Sequence, residues 1–96
     1  MVFDLSKING IEKYITKQDK DRTIFFKGDK AFLVENKNTI EVRCDEKLSQ
    51  VLQEDYESVM ESRYFGRGGI EIVLTNQLSP EELEDLIRLS YDLTKN

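Results

Sequence analysis

Lys27, Lys30, Arg63, Tyr64, Phe65 and Arg67 have the side chains that a nucleic-acid surface needs. Lysine and arginine neutralise phosphates, and an exposed tyrosine or phenylalanine stacks on a base. The last two of these residues border or enter Gly66-Arg67-Gly68-Gly69, where backbone N–H groups can approach a phosphate closely. The competing reading is a solvated hairpin tip with Tyr64 or Phe65 packed in the core, since ordinary turns are rich in glycine. Gly66-x-Gly68-Gly69 is not a nucleotide fingerprint, because it lacks both a following helix and the lysine of a P-loop.

Catalytic chemistry finds less material. The chain has no histidine, which removes the commonest general base and the commonest transition-metal ligand. Ser90 therefore has no histidine to activate it as a nucleophile. Cys44 is the only cysteine, so no internal disulfide forms, and a reducing compartment is the simple reading. A thiol just before a helix can act as a redox sensor, but Asp45 and Glu46 disfavour the thiolate, and a buried structural cysteine is the favoured reading. Glu81, Glu82, Glu84 and Asp85 are acidic but lack the Asp-rich, Gly-centred loop of a calcium site. They read as helix-capping and solvated groups, and no metal or cofactor is expected.

The 96 residues fit one domain, taken as 1–96. Hydrophobic residues form 39% and charged residues 34%, a globular mixture rather than a disordered one. No stretch approaches the about 20 apolar residues that span a bilayer. Met1-Val2-Phe3-Asp4 lacks a basic region leading into an apolar one, so a cytoplasmic location is expected. The net charge of -5 is uneven. Residues 1–43 carry nine Lys/Arg and seven Asp/Glu, whereas residues 44–96 carry five and twelve. Because the whole-molecule field repels phosphate, nucleic-acid contact needs a local basic patch.

The elements that must position these residues follow from periodicity. Ile8, Ile11 and Ile15 share one helical face behind a Ser6 cap, although Gly10 weakens that helix. Lys17–Asp21 reads as a connection. Three strands follow, Thr23–Phe26, Ala31–Glu35 and Thr39–Arg43, joined by Gly28-Asp29 and Asn36-Lys37-Asn38. Asp45 caps a helix through about Glu54, with Leu48, Val51 and Leu52 as its stripe. Strands around Ser58–Phe65 and Ile70–Leu74 flank a glycine-rich hairpin loop. Ser79-Pro80-Glu81-Glu82 is a capping box with proline at the first helical position. Leu83, Leu86, Ile87 and Tyr91 mark the buried face of that helix, widened by Leu89 and Leu93. The order α-β(3)-α-β(2)-α predicts an α+β, two-layer fold, a five-stranded antiparallel sheet with helices on one face.

Cys44-Asp45, Leu48, Leu52 and Tyr56, then Tyr64, then Glu82-Leu83, Ile87 and Ser90-Tyr91-Asp92-Leu93 resemble the MmcQ/YjbR family. Lys30-Ala31-Phe32 is similar to its earlier Lys-x-Phe strand segment. The resemblance implies the same α-β(3)-α-β(2)-α fold. It implies a DNA-binding-like role and brings no catalytic residues. The family's His-Trp pair before the last strand is absent, and Gly68-Gly69-Ile70-Glu71 stands there.

The resemblance, together with the basic side chains, implies a non-enzymatic DNA-binding accessory or regulatory protein. Its contact residues would be Lys27, Lys30, Arg63, Tyr64 and Arg67, with weak, salt-sensitive binding. The alternative is a protein–protein interaction module without nucleic-acid binding, supported by the acidic second half.

Overall fold

The structure, a computed structural model, describes residues 4–95. The reading of Met1–Phe3 as free of a secretory leader lies outside the described residues. Six strands form one sheet: β1 (Ile15–Asp19), β2 (Arg22–Lys27), β3 (Lys30–Glu35), β4 (Thr39–Arg43), β5 (Val59–Ser62) and β6 (Gly66–Val73). Helix α1 (Glu46–Asp55) separates β4 from β5, and helix α2 (Pro80–Leu93) closes the chain. Every neighbouring pair is antiparallel, in the spatial order β1-β2-β3-β4-β6-β5.

The α+β class and single antiparallel sheet agree with the sequence. The strand count and element order do not, since the sheet has six strands rather than five. The error lies at the N-terminus. Ile8 and Ile11 are buried as the triplet predicts, but Ile15 is 64% exposed and begins an edge strand. Gly10 sits at φ +96°, in the left-handed region, which an α-helix cannot continue through. Leu5–Lys7 form a single 3-10 turn capped by Asp4 instead. The segment then runs as a strap that buries Leu5, Ile8 and Ile11 in the main core. Arg88 Nε donates to the Asn9 carbonyl at 2.6 Å, and the Tyr91 hydroxyl donates to the Lys13 carbonyl at 2.8 Å, fixing the strap against α2.

The main core lies between this helical layer and the sheet. Ile40 and Val42 on β4 and Ile70 and Ile72 on β6 point into it, with Leu83, Ile87 and Tyr91 from α2. Leu48 and Leu52 pack α1 against the same core, while Val51 and Leu93, expected inside, are exposed. Both helix starts follow their caps. The Asp45 carboxylate accepts from the Leu48 N–H at 3.0 Å. The Ser79 and Glu82 side chains exchange hydrogen bonds with each other's backbone at 3.1 and 2.9 Å.

One irregularity ties the layers together. Phe25 pairs with Leu33 and Phe26 with Ala31, so Phe32 is an extra residue in β3. Such a bulge breaks the two-residue alternation. It lets consecutive Phe32 and Leu33 both join the helix-side core. The β3–β4 ladder stops at Leu33 opposite Val42, one rung before Phe32 would meet Arg43. The Ser90 hydroxyl from α2 fills that rung. It accepts from the Arg43 N–H at 2.7 Å and donates to the Phe32 carbonyl at 2.5 Å.

Candidate functional site

The opposite face of the sheet carries no helix. Its residues alternate with the core set: Ile24 and Phe26 on β2, Ala31 and Val34 on β3, Thr39, Glu41 and Arg43 on β4, Glu71 on β6. The connection between β5 and β6 partly covers this face. The turn occupies Arg63–Phe65, and the glycines expected to form the loop lie in β6. Of the three, only Gly66 has a positive φ, at +62°. Gly69 serves packing instead, because a Cβ there would stand 2.6 Å from both the Phe65 Cβ and the Val42 carbonyl. Its absence lets Phe65 settle onto the sheet beside Ile24, Ala31 and Val34, forming a second, small core.

Two buried carboxylates hold the turn down. Glu41 and Glu71 are paired across β4 and β6, and each is 2% exposed. Glu41 accepts from the Ser62 hydroxyl at 2.8 Å, the Tyr64 N–H at 2.9 Å and Asn36 Nδ2 at 2.9 Å. Glu71 receives both arms of the Arg63 guanidinium, at 2.9 and 2.7 Å, and the Thr39 hydroxyl at 2.8 Å. Burial pushes the Glu71 carboxyl up, but the Arg63 and Thr39 hydrogen bonds and the Arg63 charge outweigh it, and the group lies below the usual glutamate range. Arg63 stays charged well above any working pH for the same reason, being hydrogen-bonded to Glu71.

Beside the turn lies a cleft of about 690 Å³, lined by Asp19, Lys20, Asp21, Arg22, Asn36, Lys37, Glu41, Arg63 and Tyr64. Its walls are the β1–β2 turn, the β3–β4 turn and the folded-over 63–65 turn. Four of the lining groups are cations and three are carboxylates. Arg22 is braced by Asp19, with its Nε at 3.2 Å and its Nη2 at 2.9 Å. The Arg22 guanidinium also sits 5.4 Å from the centre of the Tyr64 ring. Tyr64 meets Phe65 edge-on at 4.9 Å and remains 39% exposed.

The residues singled out by sequence do not share one surface. Arg63 and Tyr64 lie at the cleft. Lys30 and Arg67 are exposed at the end of the sheet where β3 and β6 begin. Lys27 turns to the helical side, where its Nζ donates to the Tyr91 carbonyl at 3.0 Å and lies 4.3 Å from that ring's centre. It neutralises the C-terminal end of α2, which holds the negative pole of the helix dipole. Phe65 packs, as the competing reading has it. Lys20, Asn36 and Lys37 read in the sequence as connecting residues only, and Arg22, which opens β2, carries no local sign of a cleft wall. Glu41 alternates with Ile40 and Val42, a pattern that sets it on the face away from the main core without revealing that a turn covers it there. The sequence signal for the fold-over is Arg63-Tyr64-Phe65, an aromatic tip whose Phe65 packs onto the sheet while Tyr64 stays 39% exposed.

The other chemical candidates are occupied. Burial first, and then the Asp45 charge, push the Cys44 thiol up to about 11. No group of three or more His, Cys, Asp or Glu side chains among the described residues is placed to hold a metal ion. No helix among them is long and apolar enough to cross a membrane.

A protein-family model described as YjbR matches residues 9–93, most of the chain. No curated protein and no solved structure matches it.

Proposed function

The chain belongs to the YjbR family, and from that premise we propose a non-enzymatic accessory or regulatory protein that binds DNA on the helix-free face of its sheet. The observation that carries the reading is the separation of charge between the two layers. Helix α1 has three acids and one lysine, and α2 has five acids and one arginine, net -2 and -4. The cleft has four cations and three carboxylates, and Glu71 beneath it neutralises Arg63, so the balance there is zero rather than negative, with the unpaired ammonium groups of Lys20 and Lys37 at the surface and a half-exposed tyrosine beside them. A polyanion is therefore repelled from the helical layer and admitted at the cleft.

The non-enzymatic part of the reading rests on how the reactive groups are used. The chain has no histidine. Ser90 Oγ is committed to two backbone groups, and the Cys44 thiol is protonated at neutral pH. Glu41 and Glu71 spend their oxygens on the 62–65 turn and its neighbours.

A protein partner is the second reading, and the β1 edge favours it. Among the described residues that strand pairs only with β2, and its Ile15 is 64% exposed. An open strand edge pairs readily with another chain.

The discriminating experiment is a fluorescence titration of labelled DNA at low and at physiological salt. Saturable binding that weakens steeply with salt supports the first reading. No binding at low salt removes it and turns attention to the β1 edge.

A further inference from the structure

We propose that the cleft takes one unstacked nucleotide of a single strand, with its base against Tyr64 and its phosphate between Lys20 and Lys37; this rests on the nucleic-acid reading and narrows it. The volume supports one nucleotide rather than a duplex. About 690 Å³ lies within the range of about 300–1,000 Å³ typical of pockets for single small ligands. A duplex keeps its base faces inside the stack, where a tyrosine on a cleft wall reaches them only after unstacking.

The lining groups divide the work. Arg22 and Arg63 are held by Asp19 and Glu71, so they are fixed elements of the wall. The Lys20 and Lys37 ammonium groups have no ion-pair or hydrogen-bond partner among the described residues and are exposed, Lys20 accepting only at its backbone carbonyl, from Gln18. Lys20 stands at the tip of the β1–β2 turn at φ +58°, and Lys37 stands on the β3–β4 turn that lines the same cleft. Two unpaired ammonium groups on these two turns suit a phosphate between them. Tyr64 is held in place from two sides, by Arg22 at 5.4 Å and by Phe65 at 4.9 Å, so little order is lost when a base stacks on its open part. The acceptors suit a base edge. Asn36 spends its Nδ2 on Thr39 and Glu41, at 2.9 Å each, and its side-chain oxygen remains for a donor. Asp21, likewise unpaired among the described residues, offers a second acceptor for an exocyclic amine.

The test uses the whole protein with a labelled single-stranded oligonucleotide and its duplex, for wild type, Tyr64→Ala, Tyr64→Phe and the double variant Lys20→Ala/Lys37→Ala. Single strand should bind more tightly than duplex. Tyr64→Ala should weaken it about 5- to 150-fold, the span of a lost base–aromatic stack, while Tyr64→Phe retains it. The double variant should lower the slope of log affinity against log salt by about 0.7, the value for one phosphate contact on a single strand. Equal binding of both forms, with Tyr64→Ala neutral, overturns the nucleotide cleft while the nucleic-acid reading stands. Absence of binding to either form at low salt overturns both.

Discussion

Replacing Ser90 with alanine tests the claim that this side chain is a structural rung and not a reactive group. The hydroxyl is fully buried and lies where β3 and β4 stop pairing directly. It satisfies one backbone donor, Arg43 N–H, and one backbone acceptor, Phe32 C=O. Alanine leaves both groups without a partner in a place water does not reach. A buried polar group left unsatisfied costs about 1–3 kcal/mol. Two such groups, relaxing partly together, set the expected loss at about 2–4 kcal/mol. For a domain of this size that lowers Tm by about 4–8 °C for each kcal/mol. Urea unfolding with an unchanged m-value measures the loss, and hydrogen exchange at the Arg43 amide localises it. A loss below about 0.5 kcal/mol, with the Arg43 amide still protected, refutes the reasoning. It would mean that β3 and β4 close the rung by themselves.

Gly69→Ala should destabilise the fold by about 1–3 kcal/mol, the usual range for overpacking. It should also raise the accessibility of Phe65, because the new Cβ meets the Phe65 Cβ and the Val42 carbonyl. Near-UV circular dichroism of the 63–65 turn and urea unfolding check this, and an unperturbed variant contradicts it. Acid should weaken the fold through Glu71. Its folded pKa lies below the ordinary 4.5, so its contribution is complete above that pH and is lost as the pH falls below it. Stability measured against pH should therefore hold through neutrality and drop in the acid range, with a shallower drop in Glu71→Gln. Equal acid slopes for the two proteins would exclude Glu71 as a source. Cys44, with a pKa of about 11, should resist thiol reagents at pH 8 in the native state and react once urea unfolds the chain. Rapid stoichiometric labelling of the native protein contradicts its burial.

Much of the fold could be read from local chemistry, and the failures share a cause. The capping residues Asp45 and Ser79-Pro80-Glu81-Glu82 mark helix starts through hydrogen bonds made within one turn, so sequence alone reveals them. The three strands from β2 to β4 follow from alternation and short turns in the same way. The N-terminal helix fails because helical spacing of three isoleucines is satisfied as well by a strap that buries two of them and releases the third. The hairpin was misplaced because glycine has two uses. Gly66 supplies a left-handed residue, whereas Gly69 supplies room for a side chain that arrives from four positions earlier. The cleft is hardest to read. Asp19, Arg22, Asn36 and Lys37 come from two turns, and Arg63 and Tyr64 come from a third that reaches back over the sheet. No local pattern records that fold-over. Lys27 shows the converse, a cation placed by its type among ligand contacts that tertiary structure assigns to the end of α2.

Nucleic acid is proposed to meet this protein on the helix-free face of the sheet. Mapping backbone amide chemical shifts during titration with a short single-stranded oligonucleotide at low salt tests it most directly. Shifts should concentrate at residues 19–22, 36–37 and 63–65 and fade as salt is raised. Shifts centred on α1 or α2, or no shifts at low salt, contradict it.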